Sequence, residues 1–195
     1  MNAINEILIY LLLMAIGIYL LAMLMRFILQ LSLADFYNPI SQFLVRATNP
    51  LVLPARRVLP ARGRFDPASF VLAVILQLLG IAALLSLYGM SLPSISLMFA
   101  WAVIAVLGLL VKIYFFALLA MIILSWIAPG SSNPAIYLLY QITEPVAAPV
   151  RRLLPNMGGI DFSPILLFIL INIVQIVLRN LAMGLGLHPA LVMGL

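Results

Sequence analysis

Two arginine pairs, Arg56-Arg57 and Arg151-Arg152, stand 95 residues apart, and an aspartate follows ten residues after the first arginine of each pair, Asp66 and Asp161. A guanidinium offers a planar fork of donors that fits phosphate and carboxylate oxygens. Beside a membrane, each such cation contributes about 1 kcal/mol of attraction to anionic headgroups. The pairs therefore suit either an anionic lipid surface or an acidic docking partner. The aspartates fit a local role, as helix caps or as ion-pair partners of the same arginines. Glu144, just before Pro145, has the position of a further helix-start acid.

Little else in the chain points to bond-making chemistry. There is no H-E-x-x-H, no P-loop, no G-x-S-x-G and no carboxylate pair placed for acid/base work. Zero cysteines and the single histidine, His188, leave no basis for a metal site or a proton relay. We expect no enzyme activity and no cofactor. The net charge of +5 is spread along the chain without a stacking platform for bases, so direct nucleic-acid binding is not expected.

The elements that must carry these residues are set by a bilayer. Of the 195 residues, 66% are hydrophobic and 8% charged, against about 45–50% and about 25% in average soluble domains. Residues 7–25 form an unbroken apolar run, close to the roughly 20 residues that cross a hydrocarbon core. Glu6 precedes the run and Arg26 follows it, the reverse of a signal peptide, so this span is expected to be retained. The expected spans are residues 7–27, 68–90, 102–128 and 165–187, the third preceded by an interfacial lead-in over 95–101.

An offset of 95 residues superimposes the two halves. Asn38-Pro39 falls on Asn133-Pro134, Thr48 on Thr143, Pro50 on Pro145, Pro54 on Pro149, and both arginine pairs and aspartates coincide. The chain is a duplicated hairpin unit, 1–94 and 95–195, and each unit crosses twice, so both copies face the same way. Seven of the ten basic residues lie in the connections 34–67 and 129–164. Those connections are expected to be cytoplasmic, with both termini and the 89–94 turn on the outer face.

Within the spans, Gln77 maps onto Asn172, while Asn172, Gln175 and Arg179 share a helix face at i, i+3 and i+7. Interhelical hydrogen bonding and the lining of a hydrated path are both open to these residues. Lys112 has no acid within a span to pair with and is expected to snorkel, as is Arg179. Trp126, Tyr137 and Tyr140 form an interfacial aromatic belt.

Eleven of the 13 prolines lie in the two connections, which argues for short elements with stops. Asn38 and Asn133 are N-caps with proline at the first helical position. Behind them Ile40, Phe43, Leu44 and Ala47, repeated as Ala135, Leu138, Leu139 and Ile142, form an apolar stripe. The opposite face of the second copy, Ile136, Tyr137 and Tyr140, is expected to lie deeper or to pack on protein. A second short element, kinked by Pro54 or Pro149, is expected to begin near Pro50 and Pro145, with Leu51, Ala55, Val58 and Leu59 on its stripe. The fold class is all-α, a membrane protein of four transmembrane helices in two hairpin units with amphipathic or re-entrant connections.

These residues resemble the YggT family. The second copy carries the pattern most fully: Ser125-Trp126-Ile127, Asn133-Pro134, Thr143-Glu144-Pro145, Pro149, Arg151-Arg152-Leu153-Leu154-Pro155, Gly158-Gly159, Asp161 and Ser163-Pro164. The first copy has Gln30-Leu31 in place of Ser-Trp and Asn49 in place of the glutamate, and it keeps Arg26 where the second has Met121. The resemblance implies an integral inner-membrane protein. Its relatives are associated with osmotic-stress tolerance, with cell division and envelope morphology and, in chloroplasts, with cytochrome b haem attachment and nucleoid distribution. The expected role is a non-enzymatic scaffold or assembly factor, with an oligomeric channel or transport protein as the alternative. The expected partners are anionic headgroups, other membrane proteins and further copies of the chain.

Overall fold

A computed structural model describes residues 3–153 and 163–187. Among these residues six helices follow one another: α1 (Ala3–Leu31), α2 (Pro39–Arg56), α3 (Pro67–Leu87), α4 (Ile95–Ile127), α5 (Pro134–Leu153) and α6 (Ser163–Gly184). The helices α1, α3, α4 and α6 are long and apolar enough to cross a membrane. At about 1.5 Å per residue, α3 and α6 span about 32–33 Å, matching a hydrocarbon core of about 30 Å. α1 and α4, at about 44 and about 50 Å, exceed it. In each repeat a long spanning helix thus leads into an arm helix, α2 or α5, and a shorter one returns.

The spanning helices pack in the order α1, α3, α4, α6, and each arm lies against both spans of its own repeat. Gly80 of α3 lets α1 approach closely, since a Cβ there would stand 3.3 Å from Ile16 Cγ2. Ile28 and Leu29 of α1, Leu44 of α2, Ala117 of α4, and Leu138 and Ile142 of α5 form a core shared by the two repeats. The arms also meet directly. Asn38 Nδ2 donates to the Pro134 carbonyl at 2.7 Å, and the Asp35 amide donates to Gln141 Oε1 at 2.9 Å.

Three sequence expectations are corrected. The residues 95–101 are not a separate lead-in but the first two turns of α4. Trp101 is buried and its Nε1 donates to the Leu185 carbonyl at 3.0 Å, so it ties α4 to the end of α6 instead of anchoring an interface.

Each arm is one helix, not two short elements, and it continues through Pro50 and Pro54 or Pro145 and Pro149. A proline removes one N–H and crowds the preceding turn. In the turn before Pro50, side chains also donate to backbone carbonyls: Tyr19 Oη to Ala47, Arg26 Nη1 to Val45 and Thr48 Oγ1 to Leu44.

The buried face of α2 is Ser41, Leu44, Thr48 and Val52, whereas Ile40, Phe43, Leu51 and Val58 are exposed. In α5, Leu138 and Ile142 are buried and Ile136 is half-buried, while Tyr137 and Tyr140 are exposed. Lipid is as acceptable to an apolar side chain as protein is, so hydrophobic residues of an arm have no need to turn inward.

Candidate functional site

The polar residues of the first repeat converge where α1 ends, α2 passes and α3 begins. Arg26, only 4% exposed, projects from α1 toward α2. Its Nη1 donates to Thr48 Oγ1 and Asn49 Oδ1, both at 2.8 Å, and to the Val45 carbonyl at 3.2 Å. Its Nε lies 4.0 Å from Asp66 Oδ2 and has no hydrogen-bond partner.

Asp66 opens α3, fully buried, without capping that helix through its side chain. It accepts from Arg56 Nη2 at 2.7 Å, Arg56 Nε at 3.3 Å and Ser69 Oγ at 2.6 Å. Burial pushes its carboxyl up. The hydrogen bonds from Arg56 and Ser69 outweigh that and hold it below the ordinary carboxylate value.

A tight turn closes over this network. Arg62 and Phe65 exchange backbone hydrogen bonds at 2.9 and 3.1 Å, with Gly63 at φ +59°, a conformation that glycine adopts freely. The turn offers the Gly63 carbonyl to Gln30 Nε2 at 3.0 Å. Phe65 packs edge-on against Phe27 with ring centroids 5.4 Å apart. Beside the network lies an open cavity of about 380 Å³ whose lining includes Arg26, Ser41 and Arg56 together with Leu29, Leu33 and Phe36.

The first arginine pair is therefore divided. Arg56 turns inward to Asp66, while Arg57, at the C-terminal end of α2, is exposed. Arg151 and Arg152 both end α5 exposed, and Arg151 Nη1 lies 3.2 Å from Glu144 Oε1. Glu144 is not a helix-start acid, because α5 began ten residues earlier. Asp161 and His188 lie outside the described residues. Asn38 Oδ1 and Asn133 Oδ1 accept from the amides of Ile40 and Ala135, at 3.0 and 2.9 Å.

The intramembrane polar residues do not come together. Gln77 is buried in α3. Asn172 is exposed on α6 and donates to the Phe168 carbonyl of its own helix at 2.8 Å, so it does not join helices within the chain. Gln175 is half-buried and Arg179 exposed on the same side. Lys112 is half-buried midway along α4, and no acid among the described residues pairs with it. Trp126 is 84% exposed.

Sequence reasoning missed Arg26, Ser41, Thr48 and Ser69 as site residues. A signal for two of them was present in the repeat. Arg26 meets Thr48 at 2.8 Å, and the corresponding Met121 Sδ lies 3.2 Å from Thr143 Oγ1. The same helix contact is polar and charged in one copy and soft and neutral in the other.

Four spanning helices in a duplicated unit define a multi-pass helical membrane protein. The CCB3/YggT family model matches residues 5–87 and 100–182, two segments offset by the same 95 residues as the internal repeat. The chain belongs to the CCB3/YggT family. It is 48% identical over 193 residues to an uncharacterised protein of Pseudomonas aeruginosa, covering 98% of both chains. It is 40% identical over 188 residues to the uncharacterised protein YggT of Escherichia coli K12, covering 95% of this chain and 97% of that one. An uncharacterised protein of Haemophilus influenzae is 35% identical over 153 residues, 77% of this chain and 80% of its own. No solved structure matches.

Proposed function

We propose that the protein is a non-enzymatic scaffold or assembly factor of the bacterial inner membrane, with α2 and α5 on the cytoplasmic side and both termini outside. Its setting is envelope, cell-division or osmotic-stress physiology, as the family resemblance implies. The observation that supports this reading is the pairing of the two arms. They are joined through Asn38 and Pro134 and through Asp35 and Gln141, and they expose Arg57, Arg151 and Arg152 together with Phe43, Val58 and Leu153. Cations beside large exposed apolar side chains suit a surface that lies among anionic headgroups and receives another membrane protein. Reversing Arg57 and Arg152 to glutamate should abolish co-purification of partners while leaving membrane insertion intact. An unchanged set of partners would sink the scaffold reading.

A second reading, an oligomeric channel or transport protein for ions or osmolytes, draws on the outward face of α6. Asn172, Arg179 and Asn180 are exposed there on a membrane span, where polar groups commonly face a water-filled path or another helix. Purified protein in liposomes that passes no solute under osmotic shock or applied voltage would remove this alternative.

A further inference from the structure

The cavity beside Arg26 has the chemistry of an anion site with an apolar wall. Two of its lining side chains, Arg26 and Arg56, are cations, and they share the single carboxylate of Asp66, which leaves one positive charge unbalanced. A third polar liner, Ser41, is 3% exposed, and its Oγ has no hydrogen-bond partner. A buried hydroxyl without a partner is unfavourable, so it asks for an occupant. Ser41 also lies in the first turn of α2, where the helix dipole favours negative charge.

The second repeat is an internal control for what the fold itself requires. At the offset of 95 residues, Arg26 is replaced by Met121 and Ser41 by Ile136. The equivalent helices still pack, with Met121 against Thr143 and with Leu118, Ala147, Val150 and Leu167 in one core. A hairpin unit therefore needs neither the buried guanidinium nor the buried hydroxyl. Their presence in the first copy alone, on the wall of one cavity, points to a ligand.

Position and shape narrow the ligand. Arg26 is the first charge after the apolar run of α1, and the cavity lies at that end of the span, level with the start of the arm. Phosphate groups of a bilayer occupy this boundary. The lining also includes Leu29, Leu33 and Phe36, which would suit the acyl end of an amphiphile and would be wasted on a free inorganic anion. The volume of about 380 Å³ falls within the range of about 300–1,000 Å³ typical of small-molecule sites.

We propose that this cavity is a stoichiometric binding site for the phosphoryl headgroup of an anionic glycerophospholipid, held by Arg26, Arg56 and Ser41 with its glycerol and upper acyl carbons against Leu29 and Phe36. The site is independent of the scaffold reading and differs from the exposed arginines, which meet headgroups without selecting one.

The test uses the full chain purified in detergent and titrated, with native mass spectrometry as the readout. The probes are dioleoyl phosphatidylglycerol, dioleoyl phosphatidylcholine, glycerol 3-phosphate and inorganic phosphate. One phosphatidylglycerol should be retained per chain, with phosphatidylcholine at least about tenfold weaker, since the choline cation opposes the two arginines. Arg26→Met and Ser41→Ile, which install the residues of the second repeat, should each weaken phosphatidylglycerol at least about tenfold. Arg57→Met should leave it unchanged. Ser41→Ile leaves every Asp66 contact in place and keeps the question answerable if Arg26→Met does not fold. Equal binding of the two lipids, wild-type binding by Ser41→Ile, or an equal loss in Arg57→Met would each overturn the site. Glycerol 3-phosphate or inorganic phosphate binding as tightly as the lipid would overturn the lipid as occupant and assign the site to a free phosphorylated solute.

Discussion

Arg56 reaches back across the turn to hold the fully buried Asp66 carboxylate through two hydrogen bonds, at 2.7 and 3.3 Å. The pair joins the end of α2 to the start of α3, and Ser69 and Arg26 extend it to the first turn of α3 and to α1. Removing the carboxylate leaves two guanidinium groups facing each other in a poorly hydrated space. Asp66→Asn should therefore destabilise the folded protein by about 3 kcal/mol, near the low end for breaking a buried pair because Arg56 keeps partial access to solvent. Thermal unfolding in detergent reads this directly. An unaltered midpoint would mean that Asp66 is not the centre of the network.

The same carboxylate gives stability a direction with pH. The folded value of Asp66 is depressed, so its contribution is fully present above the ordinary unfolded value of about 3.9 and is lost as pH falls through the lower folded value. Unfolding followed from about pH 6 downward should show an acid limb in the wild type that Asp66→Asn lacks. An identical limb in both proteins would assign acid sensitivity to other carboxylates.

Spans and duplication are legible in the sequence because a bilayer imposes a length and a polarity that no local context can override, and because the two copies retain the same punctuation. The arms are less legible. Pro50, Pro54, Pro145 and Pro149 each remove one amide donor, yet both arms run on as single helices, so proline spacing alone misplaces the breaks. The stripe rule also misassigns the buried face of α2. The rule expects Phe43 to turn inward, whereas it is exposed while Ser41 and Thr48 are buried, an arrangement that lipid around an arm would allow. Arg26 looks like the charged flank that ends a span. Only the third dimension, together with Met121 at the same register, shows it as the hub of the first repeat.

Asn38 and Asn133 occupy equivalent caps but do unequal amounts of work. Both accept from the amide two residues on, yet Asn38 alone also donates to a carbonyl of the other arm, Pro134, at 2.7 Å. Losing a cap costs about 1 kcal/mol and losing a further buried hydrogen bond about 1 more. Asn38→Ala should thus lower stability by about 2 kcal/mol and Asn133→Ala by about 1. Asn38→Ala should also speed limited proteolysis of the arms, and equal losses from the two substitutions would argue that the bond between arms contributes nothing.

The cysteine-free chain makes the proposed orientation directly measurable. Val58 and Ser94 are exposed at opposite ends of α3, so single cysteines at these sites should not disturb packing. With the arms cytoplasmic, Val58→Cys should resist an impermeant thiol reagent added to intact spheroplasts and Ser94→Cys should label. The opposite pattern would invert the topology.

The outer face of α6 distinguishes a lone chain from an assembly. Among the described residues, Asn172 and Asn180 donate within their own helix and bond to no other helix. Asn172→Leu should therefore leave unfolding of the isolated chain within about 0.5 kcal/mol of wild type. In the membrane the same change removes an amide that can donate and accept across a two-fold axis, an interaction of about 1–2 kcal/mol in model helices. If copies meet along α6, a cysteine at Ile176 should crosslink between chains in the wild-type background, and Asn172→Leu should reduce that crosslink several-fold. Persistence of the crosslink in Asn172→Leu would mean that copies meet along α6 without help from Asn172, and its absence in both would leave the polar face of α6 to a different partner helix or to water.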